Sequence, residues 1–543
     1  MQVNVRRLTG ASLWLMATGL VLLLEVQMSC QRTRSVTLAA STPPRSLQKG
    51  DPIIRRTVCS GDGIRLGGVG QQHTSAILVV GSTGSALDGE FEVTLKVERT
   101  ETHHASSDNS RSISGARVLA PSDFDTRQVR VSNEKCLTPQ SRVKADRIIS
   151  PSSPQLDVSR RVFFIHSPCG SLDDPASYSA IDCRLVGEAA SIRVYAEQSV
   201  LDGDRLDELI AELTHLADET IGPAIHDLVG PVRDVDGDGK LAVVLTARLG
   251  QRDTALADVD GLTRASDFVR QNLRPFGNES DVIFLNANLQ PSERLRAVLA
   301  HEWTHAAIFG RRYGESGRNA KQPPAEDDWL NEALAHLIEI QASGSSSNVA
   351  HRVQHFLERP EAAPLLVRDY YRPEFWRHHG CRGAAFLFLD WCIKQSGPQL
   401  LDRLIDGDEI GVENLERATG RSFDDLFREW TTSIGTNLTR NDEMVDLVTN
   451  GTDPDGTALC QRTLAVRPAF HEWRPKRLES QSIMLRLRGT TAAFVRVTLD
   501  ETATNWRLFA DAPPECGLQL TVIPIASAAG RPQNAQAAAC ERD

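Results

Sequence analysis

The run His301-Glu302-Trp303-Thr304-His305 constrains this chain more than any other stretch of it. On a helix, side chains four apart lie over one another, so both imidazoles face one point and Glu302 sits at the edge of that face. Trp329-Leu330-Asn331-Glu332 follows downstream. A catalytic zinc takes three protein ligands and keeps a fourth position for water. His301, His305 and Glu332 are the expected ligands, and Glu302 is the expected general base, pointing at the water without ligating the metal. The chain must therefore set two helices side by side at one cleft.

A chance match to His-Glu-x-x-His in a chain of 543 residues is on the order of one or two in a hundred, and the surroundings argue further against chance. Asp281-Val282-Ile283-Phe284-Leu285 reads as a strand. After Pro291, Ser292 is a good N-cap, Glu293 suits the positive helix end, and Leu295, Val298 and Leu299 give an apolar side. Gly310 is the expected stop. A polar loop from Arg311 to Glu326 leads to a second helix from about Asp328 to Gln341. More helices follow the serine-rich break at Ser343 to Ser347, and Ala384 to Ile393, apolar nearly all round apart from Asp390, is the buried one.

Upstream, Ala76–Val80, Phe91–Val97, Val162–Ile165 and Ile192–Tyr195 are strand-like runs between polar breaks. Leu206, Leu209, Ile210, Leu213 and Leu216 then repeat at helical spacing up to Gly222. Downstream, Ile483–Leu487 and Ala493–Val497 return to strand patterning. The expected class is α+β: a zinc peptidase domain over residues 196–440, flanked by an N-terminal β-rich module, 56–195, and a C-terminal one, 441–543. Residues 1–30 read as an export or lipoprotein signal and 31–55 as a tether rich in Ser, Thr, Pro and Arg.

Arg6, Arg7 and the apolar run Leu8 to Leu24 close at Ser29 and Cys30. Three readings fit: a lipid on Cys30, ordinary secretion, or an uncleaved anchor. Each puts the folded part outside the cytoplasm, with membrane contact only through that segment or its lipid. A net charge of −11 with both signs mixed along the chain offers no basic stripe for nucleic acid. Ten cysteines suit an oxidising compartment, with disulfides expected among Cys59, Cys136, Cys169 and Cys183 and among Cys460, Cys516 and Cys540. Cys381 and Cys392, on one helix, are separated by roughly 16 Å, beyond bridging distance, so Cys392 is expected as a buried free thiol.

Asp234-Val235-Asp236-Gly237-Asp238-Gly239 begins like a calcium loop, with Asp234, Asp236 and Asp238 as oxygen donors. Leu245 stands where the bidentate Glu belongs. Ca2+ and a polar turn feeding a buried strand are the two readings.

The order strand, zinc-motif helix, loop, Trp-Leu-Asn-Glu helix and helical second half resembles the gluzincin metallopeptidases. Trp329–Leu334 and Gly383–Leu389 are most similar to the hyicolysin-type neutral peptidases, and the resemblance spans roughly residues 190 to 435. A metzincin would carry glycine and histidine at the positions of Ile308 and Arg311. The resemblance implies a two-lobed domain with the cleft between its halves and an edge strand that pairs with substrate backbone, Asp281 to Leu285, unless that is an ordinary sheet strand. It implies a Tyr or His facing the oxyanion; Arg382 stands at the tyrosine position, with His378, His379, Tyr370 and Tyr371 nearby. His336 occupies a position where some relatives carry an acid that supports a ligand histidine, and Glu339, one turn on, is the expected substitute.

The expected function is an exported zinc endopeptidase acting on polypeptide substrates. The alternative is a zinc-containing envelope binding protein that has lost catalysis, which Arg382 favours. An aminopeptidase would carry a Gly-x-Met-Glu-Asn motif before the zinc helix, and the sequence has none.

Overall fold

Within the computed structural model, residues 64–66, 75–84, 89–99, 117–118, 159–167, 171–201, 205–250, 259–269, 274–314, 325–368, 370, 378–439, 468–475, 481–499 and 506–525 are described. All belong to one compact unit, Pro52–Asp543. The expected signal, tether, Cys30 and Tyr371 lie outside the described residues.

In chain order the strands are β1 (Ile64–Leu66), β2 (Ser75–Ser82), β3 (Glu90–Arg99), β4 (Arg117–Val118), β5 (Arg160–His166), β6 (Tyr178–Glu188), β7 (Ile192–Glu197) and β8 (Leu241–Thr246). They continue as β9 (Gly261–Leu262), β10 (Val282–Asn286), β11 (His471–Trp473), β12 (Gln481–Arg488), β13 (Ala492–Thr498), β14 (Trp506–Asp511) and β15 (Leu518–Ile525). The helices are α1 (Leu206–His215), α2 (Ile221–Leu228), α3 (Glu293–Gly314), α4 (Asp328–Ser343), α5 (Ser347–Glu358), α6 (His379–Ser396), α7 (Gln399–Ile405), α8 (Gly411–Thr419) and α9 (Phe423–Thr439). The α+β class holds. Among the described residues no helix is long and apolar enough to cross a membrane.

A six-stranded sheet runs β5-β6-β7-β8-β10-β9. The strands β7, β8 and β10 are parallel, and β9 closes one edge antiparallel to β10. Alternation along β8 sends Val243 and Leu245 toward the helices and Ala242 and Val244 into a second apolar layer with Phe163, Tyr195 and Phe284. The run Asp281 to Leu285 is thus an inner strand with partners on both sides, and the edges of the sheet are β5 and, next to β10, Gly261–Leu262. The whole of β10 pairs with β8, and Phe284 and Leu285 pair with β9 on the other side.

The two β modules expected at the chain ends are corrected. Strands β5 to β7 belong to the six-stranded sheet. Strands from the two ends build one sandwich: β1-β14-β3-β12-β4 faces β11-β13-β2-β15. In β2, Leu78 and Val80 point into the sandwich with Val93, Leu485 and Val495, while Ile77 and Val79 face the helical core. Helix α9 lies against that outer face; a Cβ on Gly435 would stand 2.6 Å from Val79, so glycine permits the close approach.

The sandwich also reaches the site. Thr490, at the β12–β13 turn, accepts the Leu365 and Leu366 amides on its hydroxyl at 3.1 Å each. That segment in turn anchors α4: Trp329 N donates to Val367 O, and Tyr370 N donates to Asp328 Oδ2 at 2.7 Å.

Of the cysteines, Cys183, Cys381 and Cys392 are buried free thiols. The Cys392 expectation is met and the expected bridge for Cys183 is not. Cys59, Cys136, Cys169, Cys460 and Cys540 lie outside the described residues.

Candidate metal centre and cleft

Helix α3 starts where its sequence says it should: Ser292 Oγ accepts the Leu295 amide at 3.3 Å. It does not stop at Gly310 but runs to Gly314. Gly310 is there for packing, since a Cβ would meet Arg233 N at 2.6 Å. One turn of the buried helix stacks His301 over His305, with Nε2 atoms 3.2 Å apart. Helix α4 is capped at its far end by Gly344 at φ 68° and brings Glu332 across. Its carboxylate oxygens lie 3.4 Å from His301 Nε2 and 3.8 Å from His305 Nε2. Two atoms each ~2.0–2.1 Å from a tetrahedral zinc stand about 3.3 Å apart, so these three side chains fit such an ion.

His301, Glu332 and His336 can also each offer a ligand atom, all within 4.8 Å of one another. His305 is the better third ligand. It lines the cleft, whereas His336 is fully buried behind His301 and gives its Nδ1 to Glu339 at 2.9 Å. Glu339 takes the expected supporting place: its Oε2 accepts from His301 Nδ1 at 3.0 Å, His336 Nδ1 and Asn348 Nδ2. Burial alone would raise the Glu339 carboxyl, but hydrogen bonds from His301 and His336 hold it down at about 2. Burial likewise opposes charge on His301, yet Glu332 and Glu339 outweigh it and lift the ring to about 10. Burial and the neighbouring His301 push His305 down to about 4. Two carboxylates, Glu332 and Glu339, thus face the paired imidazoles, a donor set that suits a bound cation.

Glu302 points the other way, toward the edge strand. Thr263 Oγ1 donates to its Oε2 at 2.7 Å. Burial raises its carboxyl to about 7, against the pull of His301 and Thr263. A base balanced near neutrality suits proton transfer at working pH. Gly261 makes this possible: a Cβ there would stand 2.5 Å from Glu302 Cγ and 2.6 Å from Oε1.

These groups share a cleft of about 1130 Å³. On its far wall Arg382 Nη1 meets Glu332 Oε2 at 3.0 Å, and the guanidinium sits 5.0 Å over the Tyr370 ring. The Tyr370 hydroxyl is buried with no hydrogen-bond partner among the described residues, and burial raises it well above the ordinary phenol value, so it stays protonated. His379 lines the cleft too, but its ring packs edge-on to His351 and stacks on His355. His378 is removed from the candidates. It does not line the cleft; its Nδ1 caps α6 by accepting the Cys381 amide at 3.2 Å.

The acidic loop is rearranged as well. Asp238 is held by Arg193, Arg161 bridges Asp236 at 2.9 Å and Asp238 at 3.6 Å, and Asp234 folds back onto the amides of Gly237, Asp238 and Gly239. The candidate cation group there is Asp234, Asp236 and buried Asp281, not Asp238.

Thr263, Gly261, Asn348 and Arg352 were not read from the sequence. Gly261 stands on a two-residue strand with no period to detect and Thr263 follows directly after it, and the others reach the site only because α5 packs against α6. No protein-family model matches the chain, and no curated protein matches it.

Proposed function

We propose that this protein is an exported zinc-dependent metalloendopeptidase with a gluzincin-like two-lobed domain. The observation that carries the reading is the convergence of His301, His305 and Glu332 at tetrahedral separations, with the Glu302 carboxylate lining the same cleft and held by Thr263. Zinc held by those three would supply Lewis acidity, polarising a carbonyl and acidifying water toward a pKa of ~7. Glu302 accepts the proton as water attacks and passes it to the leaving amine. Thr263 fixes the orientation of its carboxylate. Glu339 fixes the His301 ring from behind. The Tyr370 hydroxyl, without a partner at rest, donates to the oxyanion, and the Arg382 guanidinium adds charge stabilisation. An extended peptide pairs with the Gly261–Leu262 edge, the side of the sheet left open next to Glu302.

A second reading is a zinc-containing envelope binding protein without turnover, favoured by the Arg382 ion pair on ligand Glu332. Zinc content and hydrolysis of a peptide library separate the two. The peptidase binds about one zinc per chain, loses activity to chelators, and in Glu302→Gln keeps its zinc but not its activity. Hydrolysis surviving Glu302→Gln refutes the mechanism; full zinc with no hydrolysis of any peptide supports the binding protein.

A further inference from the structure

Four arginines line the cleft, and three are neutralised where they stand. Arg264 meets Asp267 at 2.7 Å, Arg368 meets Asp327 at 3.7 Å, and Arg382 meets Glu332 at 3.0 Å. Arg352 has no carboxylate within 4.0 Å among the described residues. Its Nη1 donates to the backbone and side-chain oxygens of Asn348, and its Nε is buried with no partner. Burial and the nearby Arg382 cation lower this guanidinium to about 10, which still leaves it charged at neutral pH. Leaving a cation largely desolvated and unpaired is costly, and an anion entering the cleft would relieve that cost.

Its position is fixed from two sides. A Cβ on Gly383 would lie 2.1 Å from Arg352 O, so α5 and α6 are in direct backbone contact at this residue. The Asn348 amide accepts from Arg352 and donates to Glu339, which holds His301. A single side chain thus spaces the guanidinium from the support of a metal ligand.

We propose that Arg352 anchors a carboxylate of the substrate beside the metal centre, making the preferred substrates peptides with a free C-terminus or an acidic side chain close to the scissile bond. This rests on the peptidase reading and specifies its substrate class. The Nε edge left open by Asn348 presents donors in the planar fork that suits a carboxylate.

The test uses the full chain with its zinc and one peptide made in four forms: free or amidated C-terminus, each with Glu or Gln at the acidic position. Wild type is expected to favour one carboxylate form over its neutral partner by about thirtyfold in kcat/KM. Which pair shows the preference tells terminal from side-chain recognition. Arg352→Met lowers kcat/KM for the favoured carboxylate peptide about thirtyfold more than for its neutral partner, abolishing the preference, and Arg352→Lys restores part of it. Equal losses on charged and neutral peptides, or no preference in wild type, overturn the anchor; the wild-type comparison decides even if Arg352→Met does not fold. Equilibrium binding of the same peptides to Glu302→Gln separates the two ideas. Carboxylate-selective binding without turnover in wild type keeps the anchor and sinks the peptidase, and turnover without selectivity does the reverse.

Discussion

Adding one methyl group at Gly261 tests the geometry of the proposed base without touching its chemistry. The new Cβ would stand 2.5 Å from Glu302 Cγ, 2.6 Å from Oε1 and 2.8 Å from Cδ, where ordinary contact needs about 3.4–4 Å. Thr263 Oγ1 holds the same carboxylate at 2.7 Å, and the β9–β10 ladder holds Gly261, so neither gives freely. Relief requires the carboxylate to move by about 1 Å, and a misplacement of that size costs about a hundredfold in rate, or ~2.7 kcal/mol of transition-state stabilisation. Gly261→Ala should therefore lose about a hundredfold in kcat while holding about one zinc per chain. The assay is peptide hydrolysis together with metal analysis and a melting curve. Gly261→Ala with wild-type kcat would refute the placement of Glu302, and loss of zinc alongside activity would show that the strand supports the ligands and not the base.

Glu339→Gln should weaken zinc binding by about 10–100-fold in a competitive chelator titration, because His301 loses the anion behind it; unchanged affinity would remove Glu339 from the support. Burial raises Asp281 from 3.8 to about 8, so the folded chain holds a proton that the unfolded chain releases, and stability should fall as pH rises between those values. Asp281→Asn should flatten that slope, by about 2–5 kcal/mol across the window in denaturant titrations, and a slope unchanged in the variant counts against it. If millimolar calcium raises the wild-type Tm and abolishes the slope, the Asp234, Asp236 and Asp281 group is a cation site. Gly383→Ala forces α5 and α6 apart at Arg352 O and should cost about 1–3 kcal/mol; a Tm equal to wild type would mean the helices can part freely.

What the sequence disclosed was local, and what it withheld was pairing. Glu332 was named from the Trp-Leu-Asn-Glu run on the helix after the motif, and His301 and His305 could be paired because four-residue spacing on a helix is a property of the helix itself. Glu339 could be named for the same reason, one turn beyond His336. Gly310 could not be read correctly: a glycine that ends a helix and one that lets another backbone approach look alike until Arg233 is in view. The run Asp281 to Leu285 could be read as an edge strand or as an ordinary sheet strand, and it is the second, since a continuous apolar run is buried on both faces. The edge next to it is two residues long. In the acidic loop the aspartate spacing was visible, while Arg161 and Arg193, which claim Asp238, come from strands far upstream. Of the sandwich strands β2, β3, β12 and β13 were seen as strands and β15 was not, and nothing local in β2 announces that its neighbours are β13 and β15.

That last pairing sets a timetable for synthesis. Ser82 Oγ donates to Cys516 O, 434 residues further along. At ~5–20 residues per second the first strands wait about 20–90 s for their partners, and the six-stranded sheet and the helices are made in the interval. Through that wait the apolar run Ile77 to Val80 has unpaired edges on both sides and is the segment most exposed to wrong partners. Closing so long a loop also makes the sandwich the last and slowest contact to form. A chain cut short after α9 would lose more than a C-terminal module: it would keep β2 and β3 with no strands to close them, and Ile77 and Val79 would no longer be presented to α9 by a complete sheet.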